Sequence, residues 1–344
     1  MLENIIDAPI ERTGNSPRAI LVEIKELHEL SRLVRTLGTG RWIFRGHGDK
    51  DWLLASSLER QLVKNGCNST NKVVRNAVLA TKYDKYRASD ELYAIDLFRR
   101  HARTRLPQLE HLVEWLAAMQ HYGTSTRLLD FTRSIYVALF FAFENRLCKA
   151  DAAIYAIQYS KLLHNATLSK ELITDQQHMF SRRGALGKKK SDPDCERYIR
   201  ENFYNNRKEL QDSLIKLADR CIEKRSDSVG IIPINVPGVN ERLVAQSGLF
   251  LMPRTFTSFQ ESLAKSLSLT EREISEPQCK FNMLHYPGNK NILRDASFIK
   301  IIIPRALSGA IWNLLAQANV SALNLFPGLE GIAKSIRYNE PLYE

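Results

Sequence analysis

Gln120-His121-Tyr122-Gly123-Thr124-Ser125-Thr126-Arg127-Leu128-Leu129-Asp130-Phe131-Thr132 packs more chemistry into thirteen residues than any other stretch of this 344-residue chain. It holds an imidazole, a guanidinium, a carboxylate and four aliphatic hydroxyls around one glycine. Residues 112–119 before it follow a helical apolar pattern. Residues 135–143 after it are apolar on nearly every face, as a helix inside a core is. The stretch therefore reads as a polar loop between two helices. Gly123 turns the backbone, and the hydroxyls can cap the second helix or reach a ligand. Loops held on rigid supports are where binding sites are commonly built.

Outward from this loop, strands are expected at residues 19–24, 42–48, 152–157, 230–234, 298–304 and 322–325. Residues 52–58 read as a further strand or a strand-to-helix turn. Helices are expected at residues 31–37, 77–105 and 306–318, with a short closing helix after the turn Phe326-Pro327-Gly328. Residues 253–275 read as loop and helix. This alternation predicts an α+β protein with a mixed or antiparallel central sheet flanked by helices. Four segments organise it: a lead-in with a strand and helix (1–40), a first core half (41–159), an insertion (160–228) and a second core half (229–344).

The insertion is basic, with Arg182-Arg183, Lys188-Lys189-Lys190 and Arg197 among its cations. Its reading is a segment flexible near 184–194 and helical over about 194–224. Interleaved with Tyr198, Phe203 and Tyr204, the cations of 182–225 suit a nucleic-acid backbone; a solvated helical hairpin is the alternative. The whole chain carries a formal charge of +11 and a pI near 9.4, a balance that favours polyanionic partners. Five cysteines without a C-x-x-C pair argue against a disulfide framework and a structural zinc site. No apolar run is long enough to span a bilayer, and the acidic N-terminus lacks a signal pattern, so a cytoplasmic protein with no membrane partner is expected.

Two other blocks carry candidate site residues. Trp42-Ile43-Phe44-Arg45-Gly46-His47-Gly48 runs an apolar strand directly into an arginine. A cation there must find a carbonyl or an anion, since unpaired burial of charge is costly. Its partner is either a carboxylate such as Asp130 or a phosphate-bearing ligand. In Asn240-Glu241-Arg242-Leu243-Val244-Ala245-Gln246-Ser247-Gly248-Leu249-Phe250-Leu251, Arg242 and Gln246 stand before a strand whose Gly248 either admits close backbone approach or caps a helix. No metal is predicted: His101, His111 and His121 lie ten residues apart without an H-E-x-x-H motif. The pairs Asp49/Asp51 and Asp192/Asp194 read as turn residues.

Phe44-Arg45-Gly46, Gln120-His121-Tyr122-Gly123 with Thr126 to Thr132, Arg242 with Gln246 to Phe250, and Leu325-Phe326-Pro327-Gly328-Leu329 together resemble the FRG domain family, in the family's order. The resemblance covers roughly residues 40–160 and 230–340. It implies a protein of bacteria or phages, often in defence or toxin contexts and so with a regulatory or antitoxin partner. A more distant likeness is to ADP-ribosyltransferases, which implies NAD as cofactor. Arg45, Gly46, Tyr122, Ser56, Ser57, Glu241, Arg242 and Phe250 would bind it, with Arg45, His121, Arg127, Asp130 and Gln246 as the catalytic group. The alternatives are a nuclease with His121 as acid–base and Arg127 on the phosphate, or a non-catalytic sensor of a nucleotide or partner.

Overall fold

The computed structural model describes residues 18–38, 41–64, 88–106, 109–145, 148–167, 207–224, 226, 228–236, 241–281, 293 and 295–338. In chain order these form β1 (Ala19–Glu23), α1 (Leu27–Leu37), β2 (Trp42–His47), α2 (Ser57–Lys64), α3 (Ala88–Ala102), α4 (Leu112–His121), β3 (Leu129–Thr132) and α5 (Ile135–Phe143). There follow β4 (Ala152–Gln158), α6 (Tyr159–Thr167), α7 (Arg207–Glu223), β5 (Ile231–Ile234), α8 (Glu241–Ala245), β6 (Gly248–Pro253), α9 (Phe259–Leu267), α10 (Glu271–Ser275), β7 (Cys279–Phe281) and β8 (Phe298–Ile303). A 3-10 turn then leads into α11 (Ser308–Gln317), α12 (Ala322–Leu325) and α13 (Leu329–Tyr338).

One eight-stranded sheet, ordered β5-β6-β3-β2-β4-β8-β1-β7, runs through the described residues. It is antiparallel from β5 to β8 and parallel where β1 joins β8 and β7. The α+β class and the mixed sheet are as the sequence predicts. On one face, Trp42, Phe44, Ile154 and Ile301 pack beneath α1, α5 and α11. Farther along that face, Ile234, Phe250 and Met252 pack beneath α3, α4 and α7. The opposite face buries Ile43, Tyr155, Leu129 and Phe131 against Phe259 and Leu263 of α9. Helix α7, at the end of the segment read as an insertion, sinks Leu214, Leu217, Ala218 and Ile222 into the second cluster. The earlier basic run, 168–206, lies outside the described residues.

Two local expectations are corrected. Residues 129–132 are not loop but a strand: Leu129 and Phe131 are buried on one face while Asp130 points out of the other. Four alternating residues beside an all-apolar helix give too short a period-two signal to stand out. Residues 322–325 are not strand but helix, begun by Ser321, whose hydroxyl accepts from the Asn324 amide. Residues 57–64 resolve the open alternative as a turn into α2, with Ser56 and Glu59 closing a reciprocal cap.

Helix α5 fixes the centre of the sheet. Only Tyr136 and Phe141 of its nine residues are less than buried. It crosses β2 so closely that a Cβ on Gly46 would sit 1.9 Å from the Ala138 carbonyl oxygen. Ala138 and Ala142, one turn apart, form the small-residue surface that makes this approach feasible. Gly46→Ala is therefore expected to lower stability by about 1–3 kcal/mol or more, read as a fall in the urea midpoint. An unchanged midpoint would contradict this packing.

Candidate functional site

Strands β2 and β3 share a single ladder pair, Phe44 with Thr132. Beyond it they part, although β2 continues for three residues and β3 begins three residues earlier. The Asp130 carbonyl, stripped of its neighbouring strand, needs another donor. Arg45 supplies it: Nη1 donates to that oxygen at 2.7 Å and stands 4.0 Å from the Asp130 carboxylate. The Arg45 side chain is 19% exposed, whereas that of Asp130 is 56% exposed. Burial holds Arg45 at about 10, with Asp130 opposing the shift. It remains a cation at neutral pH.

Groups on both sides hold this pair. Arg45 Nε donates to His47 Nε2 at 3.1 Å. On strand spacing, Arg45 and His47 share a face, and the His47 ring lies edge-on to Tyr155 at 5.1 Å. From the other side, Gln120 Nε2 donates to Asp130 Oδ2 at 2.8 Å. The Gln120 amide oxygen accepts from the Thr126 hydroxyl, which also receives the Leu128 amide. Helix α4 and the loop after it thus orient the carboxylate.

The later blocks close the site. Thr132 Oγ1 donates to the Gln246 carbonyl at 2.7 Å, and the Gln246 side chain donates to the Leu325 carbonyl at 3.1 Å. Arg242 pairs with Glu330 at 3.5 Å and lies over the Phe326 ring at 4.6 Å. Phe326 is itself buried against Phe140 and Phe141. The Phe326-Pro327-Gly328 turn is thus the floor on which Arg242 and Gln246 rest. Together these elements enclose a cavity of about 740 Å³, within the range of small-molecule sites.

Of the residues singled out in the sequence, Arg45, Gly46, His121, Asp130, Arg242, Gln246 and Phe250 line this cavity. Burial, then the charge of Arg242, lowers the pKa of His121, favouring the neutral imidazole. Arg127 stands apart. It is buried and donates to Glu91 at 2.7 Å and to the carbonyls of Cys221, Pro253 and Arg254, with its guanidinium over Phe256. This bridge ties α3, α7 and β6 together, so the phosphate role expected of Arg127 is corrected to a structural one. Ser56 is spent on the α2 cap, and Ser57 exchanges hydrogen bonds with the backbone of Thr126. Tyr122 projects into solvent and Glu241 opens α8, both outside the cavity lining. Asp49 accepts from the Asp51 amide in a turn, and no group of three or more metal-ligating side chains occurs among the described residues.

Several lining residues were not singled out. His47, Glu59, Arg60, Gln120, Trp52 and Glu144 contribute to the wall. His47 was within reach of sequence reasoning, since it follows Arg45 by one strand period. Gln120 opens the central stretch, but an amide there gives no sign of the carboxylate it orients. The charged wall therefore carries both signs: Arg45, Arg60 and Arg242 against Asp51, Glu59, Asp130 and Glu144.

Residues 40–151 match the family model of the FRG domain. The chain carries an FRG domain. That segment contributes Arg45, Gly46, Gln120, His121 and Asp130 to the cavity, while Arg242, Gln246 and Phe250 come from beyond it. No curated protein and no solved structure matches the chain. Among the described residues, no helix is long and apolar enough to cross a membrane.

The FRG arginine makes a testable demand on its histidine. Burial above all, then the charge of Arg45, depresses the His47 pKa to about 3. An unfolded histidine titrates near about 6.5. Because the native state favours the neutral base, this stabilisation is present above about pH 6.5 and is lost as pH falls toward 3, at about 1.4 kcal/mol per pH unit. His47→Gln keeps a neutral acceptor for Arg45 but cannot titrate. Its stability is expected to fall less than the wild type's between pH 7 and pH 5 in urea melts, and parallel losses would refute the assignment.

Proposed function

We propose that the cavity of this FRG domain protein binds NAD and transfers its ADP-ribose to a macromolecule. The observation that carries this reading is the Arg45 guanidinium beside the exposed Asp130 carboxylate, in a wall bearing both signs of charge. A ligand with an anionic and a cationic part suits such a wall, and NAD has a diphosphate and a pyridinium. Arg45, kept charged and held on one side by His47, would grip the diphosphate. Asp130, held by Gln120, would accept a ribose hydroxyl and stabilise the cationic ribose as the nicotinamide departs. Gln246 is less suited to that part, since its side chain already donates to the Leu325 carbonyl. In the transfer, an acceptor nucleophile bonds to C1′ of the ribose, the bond to nicotinamide breaks, and the acceptor loses a proton. The resemblance to FRG proteins supports reading such an effector as part of bacterial or phage defence, or as a toxin.

His121 supports a second reading, phosphodiester cleavage, because a neutral imidazole on the same wall can serve as a general base. One experiment separates the two. Purified protein is incubated with isotopically labelled NAD and a lysate containing RNA, DNA and protein. Transfer predicts labelled macromolecules, loss of label in Asp130→Asn, and NAD binding about 10- to 100-fold weaker in Arg45→Ala. Cleavage of RNA or DNA without NAD, abolished in His121→Ala, would favour the nuclease. Absence of both NAD binding and label would overturn the transferase reading.

A further inference from the structure

Beside the cavity, α3 presents a surface that the site does not use. Tyr93, Leu97 and Arg100 recur at i, i+4 and i+7 on the helix and face solvent, Tyr93 being 64% exposed. Arg99, Arg103 and Arg105 are exposed around them. Arg99 pairs with Asp96 at 2.8 Å, whereas Arg100, Arg103 and Arg105 have no ion pair among the described residues. Tyr122, 62% exposed, connects this helix to the cavity. Its ring lies 6.1 Å from Phe98 of α3 and 4.9 Å from His121 on the cavity wall. Exposed guanidinium groups with no ion pair among the described residues and an exposed ring thus lie on α3, and α3 meets, through Phe98 and Tyr122, the end of α4 that lines the cavity.

We propose that this surface binds single-stranded nucleic acid and leads it to the cavity, making nucleic acid the acceptor class of the transfer described above. The binding stands by itself, and only the acceptor assignment rests on that reaction. Arginines neutralise phosphates, and exposed aromatic rings stack on bases regardless of their identity. A duplex hides its base faces, and an acidic peptide would engage the arginines while leaving the rings idle. A single strand uses both. The net charge of +11 draws such a polyanion to the protein. In the reaction, an oxygen or nitrogen of the strand bonds to C1′ of the ribose as nicotinamide leaves, and its proton passes to solvent.

Fluorescence anisotropy on the full chain tests this with a labelled single strand of about 20 nucleotides, long enough to span one site, the matching duplex, and heparin as a polyanion without bases. The single strand is expected to bind most tightly. The triple variant Arg100→Gln, Arg103→Gln, Arg105→Gln is expected to weaken binding at least tenfold and to flatten the log K against log salt slope by about 2. Tyr122→Ala is expected to weaken binding with the slope unchanged. Unaltered thermal melting and NAD binding in the triple variant would show that the fold and cavity are intact. Equal binding of heparin, duplex and single strand, indifferent to Tyr122, would reduce the surface to a polyanion patch and overturn the proposal. Undiminished binding by the triple variant would overturn it too. Strand binding as expected with no label passing from NAD to the strand would remove the acceptor assignment alone. Labelling of other macromolecules without strand binding would leave the transferase and remove this surface.

Discussion

A guanidinium standing where two strands separate is the constraint on which the rest of this molecule depends. β2 and β3 cannot continue their ladder beyond Phe44 and Thr132, so the Asp130 carbonyl must be satisfied from elsewhere. Arg45 satisfies it at 2.7 Å. The same group that completes the sheet's hydrogen bonding thereby becomes a cation fixed at the base of a cavity. Structural need and ligand chemistry coincide in one side chain, because a buried charge is tolerated only where its donors are occupied or face something that can occupy them.

The other parts follow from keeping that gap open. Gly46 brings α5 against β2, and α5 carries the apolar weight that holds β2 in place while β3 turns aside. His47 and Gln120 brace the two sides, one beneath Arg45 and one beneath Asp130. Across the gap, Thr132 binds the Gln246 backbone, and Gln246 binds Leu325. Four blocks separated by up to 280 positions along the chain (Arg45 to Leu325) are thus joined through a short series of hydrogen bonds. The FRG domain match covers the first two; the fold supplies the others.

Strong periodicity made much of this legible in advance. The apolar runs of β2, β4 and β8 and the uniformly apolar α5 announce their burial whatever packs on them. Short elements were hidden for the opposite reason. β3 has four residues and α12 has four, so tertiary pairing and one serine cap decided them rather than pattern. At the site, the blocks pointed to the correct region, but side-chain direction was not readable. Arg127 sits three residues before Asp130 in the densest stretch, yet it turns inward to Glu91 and three carbonyls, a set of partners scattered from residue 91 to residue 254. His47 escaped notice because a histidine on a strand gives no sign of its partner until the strand's face is known.

The cavity wall mixes three arginines with four carboxylates, so it differs from a simple phosphate cradle. Charge of both signs in one enclosed space favours a ligand that is itself divided, and that is the central functional claim. Its most direct test is a crystal structure of the protein soaked with NAD at saturating concentration. Diphosphate oxygens are expected within about 3 Å of the Arg45 guanidinium, with a ribose hydroxyl against Asp130. Density for the ligand elsewhere, or an undisturbed Arg45–Asp130 pair around a cavity that takes no ligand, would contradict it.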